Sequence, residues 1–202
     1  MKKSFFMMTF NLNINLILFS VLSGFLGWTL SFLVTTLSQP LPISLDLSQV
    51  NLYLVLGSHY CYLSMVICLS ILAVSVMLEI VKRVRLDSLI NYFKSIYHTF
   101  KFRNFLTQRE KSEKFTTIDN QTITTYNPIN GSFNRCAHKS VIDIRKDEVN
   151  ILIKVPRDQQ GQKVLSDMTS QLKEEVSSQH PNYYFSAPNR VRNTLWLVGK
   201  KR

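Results

Sequence analysis

Between Lys3 and Lys82 the chain contains no lysine or arginine, and the residues from Lys82 onward carry 22 of its 24 basic side chains. Only two of the 13 acidic residues, Asp46 and Glu79, precede Lys82. The first 81 residues are therefore neutral overall, and the whole net charge of +11 lies in the remainder. A basic-free stretch of this length, filled with Leu, Ile, Val, Phe, Ser and Thr, is what a bilayer selects. The expected class is an α+β membrane protein: a two-helix transmembrane hairpin, a basic juxtamembrane helix and a small β-β-α-β-β cytoplasmic domain.

Two runs fit a hydrocarbon core. Residues 16–37 would span roughly 33 Å as a helix, enough to cross. The second run occupies about residues 56–81 and could begin as early as Leu52, which allows for tilt. Neither contains Pro, so a helix can satisfy its own backbone, as lipid demands. Residues 1–81 are thus expected to form the membrane hairpin.

Lys2 and Lys3 precede the first span, while Lys82, Arg83 and Arg85 follow the second. The link Ser38–Asn51 has no basic residue and one Asp. The positive-inside rule then predicts a two-span cell-membrane protein with both termini cytoplasmic and an external loop around Pro40 and Pro42. A cleaved signal peptide also begins with lysines, but its apolar region is shorter and ends at an Ala-x-Ala-like site, and neither holds here.

Within the spans, the pairs Ser20/Gly24 and Ser23/Gly27 are small-xxx-small spacings that let helices approach closely. They suit packing of the first span on the second, and alternatively a homo-oligomer. His59 lies near the external end of its span and fits an interfacial position better than an intramembrane function. Cys61 and Cys68 share a helix face and read as small apolar residues.

Residues 82–114 hold nine basic and three acidic side chains. Leu86, Leu89/Ile90, Phe93, Ile96/Tyr97, Phe100 and Phe105/Leu106 recur near a 3.6-residue period, predicting an amphipathic helix continuing out of the membrane. Directly after a span, such a segment suits anionic headgroups; Lys and Arg interleaved with aromatics also suit nucleic acid. The candidate anionic-lipid or DNA contacts are Lys82, Arg83, Arg85, Lys94, Lys101, Arg103, Arg109 and Lys111 here, with Arg190, Arg192, Lys200, Lys201 and Arg202 beyond.

From residue 115 the pattern turns to short strands. Phe115–Thr125 is Thr- and Ile-rich, and Asn127–Asn134 carries turn signals. Ser140–Arg145 and Val149–Val155 read as a β-hairpin. Asp158 should cap a helix from Gln159 to about Ser178, with Leu165, Met168, Leu172 and Val176 on one face. Tyr183–Ser186 and Thr194–Gly199 read as closing strands. The expected core is Ile142, Ile144, Ile151, Ile153, Val155, Tyr184, Leu195 and Leu197, thin for a domain of 115–202.

No catalytic residue, cofactor or metal is expected. His138 and His180 are distant in sequence, Cys136-Ala-His138 lacks the second ligand pair of a zinc site, and no GxxxxGK[ST] occurs. The isolated cysteines fit a reducing compartment without a disulfide framework.

The two spans, the approach Phe133–Ser140, the hairpin DIRKDEVNILIKVP (Asp143–Pro156), the helix with Lys163, Leu165 and Leu172, YYFS (Tyr183–Ser186) and the closing LWLVGKKR together carry a family resemblance over residues 14–199. In layout and spacing the chain resembles the front end of FtsK/SpoIIIE-type DNA-transfer ATPases, in the variety found as coupling proteins of Gram-positive conjugative elements. There this region precedes the ATPase and helps place it at the membrane. No Walker residues can be carried over, so the resemblance implies a non-enzymatic membrane adaptor of a bacterial DNA-transfer machine, or a split or truncated relative of one, docking protein or DNA. A small membrane-acting protein, such as an immunity factor or a holin-like pore former, is the alternative; a β-rich domain of this size is excess for a pore.

Overall fold

The computed structural model describes residues 2–38, 48–108, 114–116, 122–124 and 128–202. It divides into two compact units: Met8–Val81, and Met1–Met7 together with Lys82–Arg202. The expected external loop around Pro40 and Pro42 lies outside the described residues, as do Arg109 and Lys111.

The first unit is built from α1 (Phe5–Leu37) and α2 (Ser48–Leu86). Both helices are long and apolar enough to span a membrane. They extend beyond the expected spans at their N-terminal ends because nothing in residues 5–15 or 48–55 breaks a helix: neither stretch contains Pro or Gly. The small residues of α1 meet α2 in the same chain. Ser23 donates to the Cys61 carbonyl at 2.7 Å and lies 2.5 Å from the Ser64 hydroxyl. At Gly27, an added Cβ would sit 3.2 Å from both Cys61 Cβ and the Tyr62 ring. Gly27→Leu is therefore expected to destabilise the helix pair by about 1–2 kcal/mol through overpacking, read as a lower thermal midpoint of the detergent-solubilised chain; an unchanged midpoint would mean this contact is unimportant.

In the second unit α2 ends at Leu86, and the chain turns at Asp87–Ser88 into α3 (Leu89–Leu106). The expected continuous helix is thus interrupted, because the Ser88 hydroxyl accepts the Ile90 amide at 3.3 Å and starts a new one. Two short strands, β1 (Lys114–Thr116) and β2 (Thr122–Thr124), pair antiparallel. Residues 128–137 form α4 (Pro128–Ala137), where a turn was expected. Pro128 suits a first helical position, and burial of Phe133 and Ala137 in the core outweighs the turn preference of Asn130-Gly131.

The main sheet contains β3 (Val141–Ile144), β4 (Glu148–Lys154), β5 (Tyr183–Phe185), β6 (Asn189–Val191) and β7 (Thr194–Lys201). All pairings are antiparallel, in the order β3-β4-β7-β5, with β6 also on β7. Asp158 caps the following helix as expected, accepting the Gly161 amide at 2.7 Å. That helix is divided, however, into α5 (Gln159–Asp167) and α6 (Thr169–Gln179). The Thr169 hydroxyl bonds back to the Leu165 carbonyl, an interaction that bends helices.

Register explains the core. Ile142, Ile151 and Leu197 are paired across three strands, so they share one face and meet Leu165, Leu172 and Val176 of the helices, with Phe102 and Leu106 of α3. Two expected core residues differ. Leu195 is half-buried, and Tyr184 is exposed because β5 alternates and turns Phe185 inward instead.

Candidate functional site

Helix α3 departs most from the amphipathic reading. Its apolar residues Leu89, Ile90, Phe93, Tyr97 and Phe100 are exposed, as is Leu86 before them. Ser95, Thr99 and Arg103, on the opposite side at four-residue spacing, are buried. They face β3, the edge strand, whose outward N–H and C=O groups lack a strand neighbour among the described residues. The Ile144 amide donates to the Ser95 hydroxyl at 2.9 Å, and the Ile142 amide donates to the Thr99 hydroxyl at 3.0 Å. Arg103 Nε donates to the Ser140 carbonyl at 2.8 Å. Three side chains of a helix thus take the place of a neighbouring strand, which closes the edge to other chains. Burial lowers the Arg103 guanidinium to about 10, so it remains charged at neutral pH.

At the turn before α3, Arg83 and Asp87 form a polar cluster with the sheet. Arg83 is buried and forms ion pairs with Asp87 at 2.9 Å and with Asp143 of β3, and it donates to the Ile144 carbonyl at 2.7 Å. Arg145 meets the other Asp143 oxygen at 3.2 Å. Asp87 also accepts the Asn91 amide group at 2.7 Å and the Lys146 backbone N–H at 3.0 Å. From the N-terminus, Phe6 lies 5.5 Å from the Arg83 guanidinium and edge-on to Tyr92, and Phe5 lies 3.9 Å from Lys82 Nζ.

These positions revise the set of surface contacts. Arg83 and Arg103 were expected at the surface and point inward, because their guanidinium groups are consumed by buried partners. Lys82, Arg85, Lys94, Lys101, Arg190, Arg192, Lys200, Lys201 and Arg202 are exposed. Arg190 reaches Gln162 at 3.1 Å. The structure also groups Lys200 and Lys201 with Arg145 and Lys146, two cations the sequence reading did not single out, around one cleft. Their shared position is set by β-pairing, since Glu148 lies opposite Lys200.

The rings of His98 of α3 and His180, which follows α6, lie tilted against each other with centroids 4.6 Å apart, and His180 is flanked by Tyr183 and Phe185. Burial lowers both, with help from Lys101 in each case; His180 falls to about 4, while a Gln179 hydrogen bond partly opposes the shift at His98. Between the unfolded value near 6.5 and the folded value near 4, the unfolded chain binds the proton that the folded chain refuses. Stability is therefore expected to be full above about pH 6.5 and to fall as pH drops towards about 4. Unfolding measured across that range should show a shallower slope for His180→Phe; an equal slope would assign it to other groups.

Burial also raises the Cys136 thiol, the opposite of an activated nucleophile. Among the described residues, no three His, Cys, Asp or Glu side chains converge as a metal set. No family model, curated protein or solved structure matches the chain.

Proposed function

We propose that this chain is a membrane-anchored adaptor, held by α1 and α2 as a two-span hairpin, with both termini cytoplasmic and α3 lying at the lipid interface. One observation carries the reading: polar side chains are inside and apolar ones outside. In the α1–α2 unit the buried residues include Ser20, Ser23 and Ser58, while Leu18, Val21, Leu22, Phe25, Trp28 and Phe32 are exposed. Helix α3 buries Ser95, Thr99 and Arg103 beside Phe102 and Leu106, and turns Phe93, Tyr97 and Phe100 outward next to Lys94 and Lys101. In water, this much exposed apolar surface would drive association; against lipid it is the favourable arrangement.

The test is depth-dependent quenching in reconstituted vesicles. With Cys61, Cys68 and Cys136 replaced by Ala, a fluorophore on Phe93→Cys should be quenched by brominated lipid, and one on Lys163→Cys should not. Equal quenching at the two positions would refute the interfacial placement of α3.

The adaptor role follows from the resemblance to coupling proteins of DNA-transfer machines and from the concentration of the net charge in residues 82–202. The domain would hold a protein partner, or DNA, at the cytoplasmic face by binding, without chemistry of its own. Binding of duplex DNA to the full chain in zwitterionic nanodiscs should weaken steeply with salt if phosphate is the ligand. Absence of binding at low salt would leave protein docking as its role.

A further inference from the structure

The turn between β3 and β4 and the C-terminal end of β7 border an open cleft of about 610 Å³ that Leu86 also lines. Four cations line it, Arg145, Lys146, Lys200 and Lys201, against two carboxylates, Asp147 and Glu148. Arg145 is already engaged by Asp143, whereas Lys146, Lys200 and Lys201 extend into solvent. Resting on the membrane reading above, we propose that this cleft binds the headgroup of an anionic glycerophospholipid.

Position supports lipid as the source of the phosphate. Leu86 is five residues beyond Val81, which directly precedes Lys82. In sequence it belongs to the juxtamembrane segment, where anionic headgroups attract Lys and Arg. Leu86 is itself 81% exposed and begins the outward apolar face that continues along α3. Tyr184 is paired with Lys200 in register and is also exposed, an aromatic on the same side of the sheet as that lysine. Aromatic side chains of this kind favour the interface.

Chemistry narrows the ligand further. Three lysines can surround one phosphodiester as point charges. Asp147 and Glu148 would repel a bare polyanion, but they accept hydrogen bonds from headgroup hydroxyls. A monoanionic, hydroxylated headgroup such as phosphatidylglycerol suits both halves of the lining.

The experiment is native mass spectrometry of the full chain in a neutral detergent, titrated with short-chain phosphatidylglycerol, phosphatidylcholine or inorganic phosphate. The wild-type chain should retain phosphatidylglycerol at about tenfold lower concentration than phosphatidylcholine. Lys146→Gln/Lys200→Gln/Lys201→Gln should abolish that preference, and the equal-charge control Arg157→Gln/Lys163→Gln/Lys173→Gln should keep it. Equal loss in both variants, or retention in the first, would overturn the cleft as a site. Displacement of the lipid by equimolar inorganic phosphate would reassign it to a free anion and overturn the lipid. Alkaline extraction of cell membranes separates the two levels: release of the chain defeats the membrane reading and this site with it. Retention in the membrane with an unaltered lipid preference in the first variant defeats the site alone.

Discussion

Asp143→Ala in the full chain is expected to cost about 3–5 kcal/mol of stability, the range for breaking a buried ion pair from one side. Asp143 is fully buried and holds two cations, with Arg83 on one oxygen and Arg145 on the other. Arg145 can turn to solvent when its partner is lost. Arg83 cannot, because it is 97% buried by the same packing that places it at the junction. It would keep Asp87 and the Ile144 carbonyl but lose its Asp143 partner, leaving an under-compensated cation in the interior. A double-mutant cycle with Arg83→Met, followed by denaturant unfolding in detergent, isolates the pair. The double variant should be less destabilised than the sum of the singles, and strict additivity would show that the two side chains do not interact energetically.

Removing the hydroxyls of α3, as Ser95→Ala/Thr99→Val, is expected to cost roughly 2–4 kcal/mol, since two buried strand amides each lose their acceptor. Thr99→Val preserves shape, so the effect reports hydrogen bonding rather than volume. The Ile142 and Ile144 amides should lose protection from hydrogen exchange, while Ile151 in the central strand β4 should keep it. A second consequence is colloidal: β3 would become an open edge, and the variant should self-associate at concentrations where the wild type does not. Unchanged protection at Ile142 and Ile144 would mean that α3 covers the edge by contact alone.

Both results bear on the adaptor reading through the same element. Helix α3 is held by its polar side to the sheet and offers its aromatic side outward. Loosening it would therefore disturb the sheet and the proposed lipid contact together. Quenching at position 93 in the Ser95→Ala/Thr99→Val background would show whether lipid alone can hold the helix.

Several elements were legible from local pattern. The hairpin of β3 and β4 follows from alternation around Lys146-Asp147-Glu148, and the Asp158 cap from its place before an apolar-periodic run. Other elements were not. The turn signals at Asn127–Asn134 are local preferences of order 1 kcal/mol, and burial of Phe133 and Ala137 outweighs them. Ser95 and Thr99 carried the only available hint of the edge contact, a polar stripe at four-residue spacing. The same stripe on an isolated helix would simply face water.

The apolar composition and missing basic residues of residues 16–37 and 56–81, together with the two-residue period of the hairpin strands, were determined by the sequence alone. Each is a property of neighbours along the chain, so no distant contact is needed to read it. Which side of α3 turns inward, where Arg83 and Asp143 meet, and how Lys146 comes beside Lys200 were decided only by tertiary structure. Periodicity identifies the residues that share a face but not what that face meets. Arg83 and Asp143 are separated by 60 residues, and only the completed sheet brings them together.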